Sequence, residues 1–316
     1  MKVLHKNISH LKTKKNLLKF MKAFAASAET KKNLMWFFRQ LVDRDTSEKT
    51  EFELSFKVKD DVLHKGEIRL LNIDARGYSY QDELSFLERL LFYKKMMWGK
   101  TTCERKKQIF SALETVAKTP LDLYGGADIF GKKFSFAFWL ILGGVEQSGK
   151  ISFVRNADKI LKNIFDALEI RPTYAVSAGD ILNLGFDLEE KSAFYKIYYI
   201  LNGETEKFIN EREKKVTLEL GRLLGKSIKH WFFVSERYII DETTKKGPGR
   251  RKIYLEFLDL VPTAEEKTFT LMAKIFKLVG CPIQLSLLRN YLGAVDGRIV
   301  IIAFEEDGTV TFYIRI

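Results

Sequence analysis

Two periods take turns along this chain. Over residues 5–42 the apolar positions Leu17, Phe20, Met21, Phe24 and Ala28 recur at helical spacing and no proline interrupts them, so one helical segment is expected. The period then drops to two. Glu51, Glu53, Ser55 and Lys57 alternate with Phe52, Leu54, Phe56 and Val58, which predicts a half-buried strand. Lys65-Gly66 precedes a second strand over 67–73, and a helical segment follows over 80–117.

The same succession recurs four more times. Strand pairs are expected at 124–130 with 133–142, at 180–188 with 194–201, at 229–240 with 250–260, and at 298–304 with 309–316. The stretch Glu305-Glu306-Asp307-Gly308 joins the last pair, and Asp-Gly is a hairpin signal. Between the pairs lie helical patterns at 156–168, 205–224, 263–279 and 284–291, the first with Asn156 or Asp158 as its expected N-cap. The repeat is about 60 residues long and lies in the architecture rather than in the letters. The expectation is an α/β protein of one domain, 1–316: a ten-stranded antiparallel barrel of five αββα-type repeats, ringed by helices. Closure would remove the sheet's two open edges. Strands that come in hairpins disfavour a TIM barrel, in which they come singly, and a doubly wound sheet, for which no GxGxxG is present.

The strand phase predicts which way each side chain faces. One face is apolar: Phe52, Leu54, Phe56; Phe134, Phe136, Phe138; Ile197, Tyr199; Ile253, Leu255, Phe257; Val310, Phe312, Ile314. If helices cover the outside, this face packs on them. The other face then lines the lumen with Glu51, Glu53, Ser55, Glu67, Arg69, Lys133, Ser135, Lys196, Tyr198, Arg250, Lys252, Tyr254, Glu256, Thr309, Thr311 and Tyr313. Buried charge is costly, so such a lumen implies water or a charged ligand inside. The competing arrangement is an open sheet with this face in solvent.

Composition narrows the partners. The 316 residues carry a formal net charge of +12, which favours anionic partners, although stretches such as 12–19 and 105–107 read as ordinary exposed helix faces. No apolar run approaches a membrane span, and the Lys-rich start lacks the pattern of a secretory signal. Two cysteines make no disulfide framework, so a reducing cytoplasm is the expected compartment. No CxxC is present and the four histidines are scattered. Aromatic residues reach 13%, so a ring-rich core or cavity is expected, with Trp139 and Trp231 as core or as substrate platform.

Two other signals compete. Residues 144–150 fit G-x-x-x-x-G-K, but Ile151 follows where a phosphate-binding loop needs Ser or Thr, and no helix start is visible. A glycine-rich loop is expected there. Residues 245–252 form a basic cluster that could meet a nucleic-acid backbone, yet no DNA- or RNA-binding motif surrounds it, and the chain is not expected to bind nucleic acid.

Several short motifs, in order and in one phase, carry a resemblance. Thr50-Glu51-Phe52-Glu53 on the first strand, Glu67-Ile68-Arg69 on the second, Lys196-Ile197-Tyr198, and Arg250-Arg251-Lys252-Ile253-Tyr254 resemble the strand motifs of the ABBA-type aromatic prenyltransferases. The paired strands resemble that family's architecture over nearly the whole chain. Within the family, the compact size is most similar to the cyanobactin enzymes, which modify macrocyclic peptides made from ribosomal precursors. The chain departs from the pattern at Lys133-Phe134-Ser135, which lacks the tyrosine often found there, and its last strand supplies only Thr311 and Tyr313.

The resemblance implies transfer of dimethylallyl or geranyl from its diphosphate to a cyclic or linear peptide, or alternatively to a small aromatic metabolite. It implies that Arg69, Lys133, Lys196, Arg250 and Lys252 bind the diphosphate, and that Tyr198, Tyr254 and Tyr313 shield the carbocation. Glu53, or less readily Glu51, would act on the acceptor, unless Glu53 only pairs with Arg69. Mg2+ is expected to accompany the donor, since no DxxD motif is present to hold it. The enzyme is expected to work as a monomer.

Overall fold

In the computed structural model the N-terminal helical pattern makes two helices rather than one, α1 (13–22) and α2 (Ala28–Arg44). Ser27 separates them: its Oγ accepts from the backbone N–H of Thr30 at 3.1 Å, a side-chain cap that opens a new helix. Within the pattern over 80–117 lie α3 (Tyr80–Tyr93) and α4 (Lys100–Glu114). Helical periodicity persists across the break at Ser27 because α1 and α2 both turn an apolar face to the same sheet. The structure describes residues 13–22, 27–44, 52–59, 62–72, 80–93, 100–116, 122–130, 133–145, 151–172, 174, 177–225, 228–241 and 251–316.

The chain is a mixed α/β protein with two antiparallel sheets. Ten strands form the larger one: β1 (Phe52–Lys59), β2 (Val62–Asn72), β3 (Asp122–Phe130), β4 (Lys133–Ile141), β7 (Ile181–Leu188), β8 (Ser192–Ile200), β9 (Ile228–Asp241), β10 (Arg251–Pro262), β11 (Arg298–Glu305) and β12 (Val310–Arg315). β1 pairs with β2 through Ser55 and Arg69 and with β12 through Ser55 and Tyr313, so the sheet closes on itself as a barrel. Because every neighbouring pair is antiparallel, the short connections leave one end and the longer ones the other. The longer ones carry α3 and α4, then α5 (Ala157–Leu168), α6 (Glu211–Leu224), and α7 (Glu266–Val279) with α8 (Leu285–Leu292).

The second sheet is a small hairpin, β5 (Gly143–Val145) with β6 (Ile151–Phe153), which the sequence pattern had not revealed. Residues 144–150, the G-x-x-x-x-G-K run, begin in β5 and are followed by the strand β6. The helix a phosphate-binding loop needs does not open there.

Two apolar clusters lie on opposite sides of the barrel wall. The outer one joins helices to the strands' outward phase: Phe20 meets Phe56, Phe38 meets Phe52, Phe37 meets Phe136, Phe110 meets Phe138 and Phe276 meets Phe312, at ring-centroid distances of 5.4–6.0 Å. The inner cluster holds Ala137, Trp139, Leu182, Tyr198, Ile200, Tyr254, Val300, Ala303 and Tyr313, and among the described residues none from an α-helix contributes to it. An apolar face covered by helices and a mixed face turned inward are what the strand alternation predicts. Trp139 lies inside, whereas Trp231 packs against the outer cluster.

Local chemistry fixes several joints. At the start of α5, Asn156 occupies the N-cap position but makes no side-chain cap; it adopts a left-handed conformation (φ 64°), which asparagine tolerates better than most residues. Asn210 and Glu213 form a reciprocal capping box at α6. Glu213 also receives Arg251 from the outer face of β10, with Nε to Oε1 at 2.9 Å. Partial burial lowers the Arg251 pKa, but the Glu213 carboxylate and Tyr174 together outweigh it and hold the guanidinium above its ordinary value. Lys106 departs from the exposed face expected of 105–107. It is fully buried and donates to the carbonyls of Glu189 and Glu190 beyond β7. Ile109, Phe110 and Leu113, three, four and seven residues on, are buried with it, so the helix turns Lys106 toward the barrel.

Candidate functional site

The lumen is banded along the strands. Nearest the short connections are the ionic and hydroxyl side chains. Lys196, the fifth residue of β8, and Lys252, the second of β10, are each 9% exposed. Asp187 and Thr311 are buried at the corresponding ends of β7 and β12. Two residues further along three of these strands stand Tyr198, Tyr254 and Tyr313. The two-residue step is what keeps ammonium and ring on one face.

The rings form a continuous row. Tyr198 and Tyr254 lie 5.8 Å apart between centroids, and Tyr254 and Tyr313 lie 5.9 Å apart. The hydroxyls of Tyr254 and Tyr313 approach to 3.5 Å. Trp139 extends the row, donating Nε1–H to the Tyr198 hydroxyl at 2.8 Å. Between those two stands Gly185 on β7, where a Cβ would come within 3.0 Å of the indole and 3.1 Å of the Tyr198 ring. The glycine makes room for the two larger side chains to meet across its strand.

The ammonium groups are held by partners within the barrel. Lys196 Nζ pairs with Asp187 and lies 5.2 Å from the Phe194 ring centroid. Lys252 Nζ donates to Thr311 Oγ1 at 2.6 Å, lies 3.4 Å from Glu305 Oε1, and stands 5.8 Å from the Tyr254 centroid. An ammonium carries three N–H donors and no acceptor, so both groups are suited to anionic oxygens. Glu53 is 7% exposed and lies two residues beyond Ser55, whose partner on β12 is Tyr313. It therefore stands past the aromatic row, away from the lysines.

Of the residues the motifs singled out, Glu53, Lys196, Lys252, Tyr198, Tyr254 and Tyr313 come together in the lumen. Arg69 takes a register position on β2 between Ser55 and Asp128, in line with that face, and Lys133 pairs in register with Phe130 at the start of β4. Glu51 and Arg250 lie outside the described residues. Sequence reasoning missed Asp187. Its signal was available: a lone carboxylate in the apolar strand Ile181–Leu188, in phase with Gly185. It also missed that Trp139 joins the tyrosine row.

Among the described residues no group of three or more His, Cys, Asp or Glu side chains could hold a metal ion, and no helix is long and apolar enough to cross a membrane. No protein-family model matches the chain, and no curated protein matches it. Fold and site together define a class in physical terms: an antiparallel barrel wrapped by helices, whose lumen runs from buried lysines, through a row of aromatic rings, to a buried glutamate.

Proposed function

We propose that this protein is a prenyltransferase of the ABBA type, one domain over 1–316, that moves a dimethylallyl or geranyl group from its diphosphate to a nucleophilic side chain of a peptide. The order of the luminal bands carries this reading: lysines at one end, tyrosine rings one step further, a buried carboxylate beyond. Glu53, Lys196, Tyr198, Lys252 and Tyr254, from the motifs that resemble the family, support the reading by lying in this order.

The chemistry follows the same order. The diphosphate lies against Lys196 and Lys252, joined by Arg69 from β2 and Lys133 from β4, where charge-assisted hydrogen bonds to its oxygens strengthen as negative charge collects on the leaving group. The allylic C–O bond breaks heterolytically, and its electron pair departs with pyrophosphate. The faces of Tyr198, Tyr254 and Tyr313 meet the resulting cation. Their negative π-surfaces stabilise it and their bulk keeps water away. The acceptor's electron pair then forms the new bond to carbon, and Glu53 takes the acceptor's proton.

Mg2+ commonly accompanies diphosphates. The carboxylates at the lysine end, Asp187 and Glu305, are each engaged with a lysine. This donor set fits an ion carried on the diphosphate oxygens better than one caged by protein, and no step above depends on it.

The deciding experiment is mass spectrometry of cyclic peptides, linear peptides and small phenols or indoles incubated with dimethylallyl or geranyl diphosphate. A prenyl adduct on a peptide supports the reading. Adducts only on small aromatics would move the acceptor class, and no adduct on any member, with the diphosphate left intact, would overturn it.

A further inference from the structure

We infer that the hydroxyl of Ser135 is a further ligand of the diphosphate, an inference that rests on the transfer reading above. Ser135 is the third residue of β4, near the short-connection end. Its neighbour Phe136 packs in the outer cluster and Ala137 in the inner one, so the Ser135 phase is luminal. It is 9% exposed, and its Oγ makes no hydrogen bond, not even to Asp128, its partner across the β3–β4 pair.

A buried hydroxyl without a partner is disfavoured by folding, and native structures that keep one usually have a use for it. The surroundings indicate which. Ala137, two residues along, is paired with Asp187 on β7, and Asp187 holds the Lys196 ammonium from β8. Ser135 thus lies on the same face and at the same end as the cation expected to meet the donor. A hydroxyl beside an ammonium is suited to an anionic oxygen, to which it donates a strong bond.

The test is calorimetric titration of inorganic pyrophosphate into the full-length wild-type protein and the variants Ser135→Thr, Ser135→Val and Ser135→Ala. Threonine and valine match in shape and differ in the hydroxyl. Ser135→Thr should bind within a few-fold of wild type, whereas Ser135→Val and Ser135→Ala should bind about 10-fold more weakly or worse. Thermal midpoints give a second readout. Ser135→Ala should melt no lower than wild type, since the hydroxyl it removes makes no bond in the free protein. Equal affinity in the threonine and valine variants would overturn the inference while leaving the transfer reading standing. A folded wild-type protein that takes up no pyrophosphate would overturn both.

Discussion

The indole Nε1–H of Trp139 donates to the hydroxyl of Tyr198 at 2.8 Å, across the strand that carries Gly185. Both side chains are buried in the lumen. Through this bond Trp139 sets the orientation of the first tyrosine in a row that runs on to Tyr254 and Tyr313. A ring that must face a short-lived cation gains from being held before the cation forms.

A double-mutant cycle on Trp139→Phe and Tyr198→Phe should therefore yield a coupling energy of about 1 kcal/mol, as for a neutral buried hydrogen bond. Urea unfolding of the four proteins measures it. Additive effects would mean that the bond does not order the row.

Glu53→Gln keeps the shape of the side chain and removes its charge. On the proposed reading, in which this carboxylate acts on the acceptor's proton and not on the diphosphate, the variant should retain donor affinity and lose most transfer activity. Isothermal titration with the diphosphate and single-turnover transfer kinetics separate the two. If transfer proceeds at the wild-type rate, the Glu53 carboxylate is structural.

The closing seam of the barrel carries a pH-dependent tie. Lys59, at the end of β1, reaches Asp307 in the β11–β12 turn at 2.7 Å, and the Thr309 N–H donates to the same carboxylate at 3.0 Å. Partial burial raises the Asp307 pKa, but Lys59 and Thr309 outweigh it and bring it down to about 2, from an ordinary 3.8. A depressed folded-state pKa stabilises the fold at pH values above 3.8, and that contribution is lost as the pH falls through about 2. Asp307→Asn should thus lower the melting temperature near neutrality, modestly because both groups are part-exposed, and the gap to wild type should narrow over that acid range. A gap unchanged by acid would mean the pair contributes nothing through charge.

Much of the barrel was legible because a strand's side chains alternate strictly. Phe52, Leu54 and Phe56 could face only one way if Glu53 and Ser55 faced the other, and the same phase placed Lys196 with Tyr198 and Lys252 with Tyr254. Helix ends were less legible. The break at Ser27 depends on one hydroxyl meeting the Thr30 N–H, which apolar periodicity does not register. Lys106 was misread because a lysine among lysines suggests a solvated face, while its burial is decided by two carbonyls more than 80 residues away in the chain. Asp187 was hidden for a related reason: its role depends on Lys196, on the next strand. The small β5–β6 hairpin has three-residue strands, too short for an alternation to show.

The central claim is that the luminal lysines bind an isoprenoid diphosphate. Removing Lys196 alone would strand the buried Asp187 carboxylate, so the charge-neutral double variant Lys196→Ala/Asp187→Asn is the better probe, beside Lys252→Ala. Calorimetric titration of dimethylallyl diphosphate should give saturable one-site binding to the wild type. In both variants binding should be weaker by about 10-fold or more, with circular dichroism unchanged. Affinity equal to wild type in both folded variants would contradict the account.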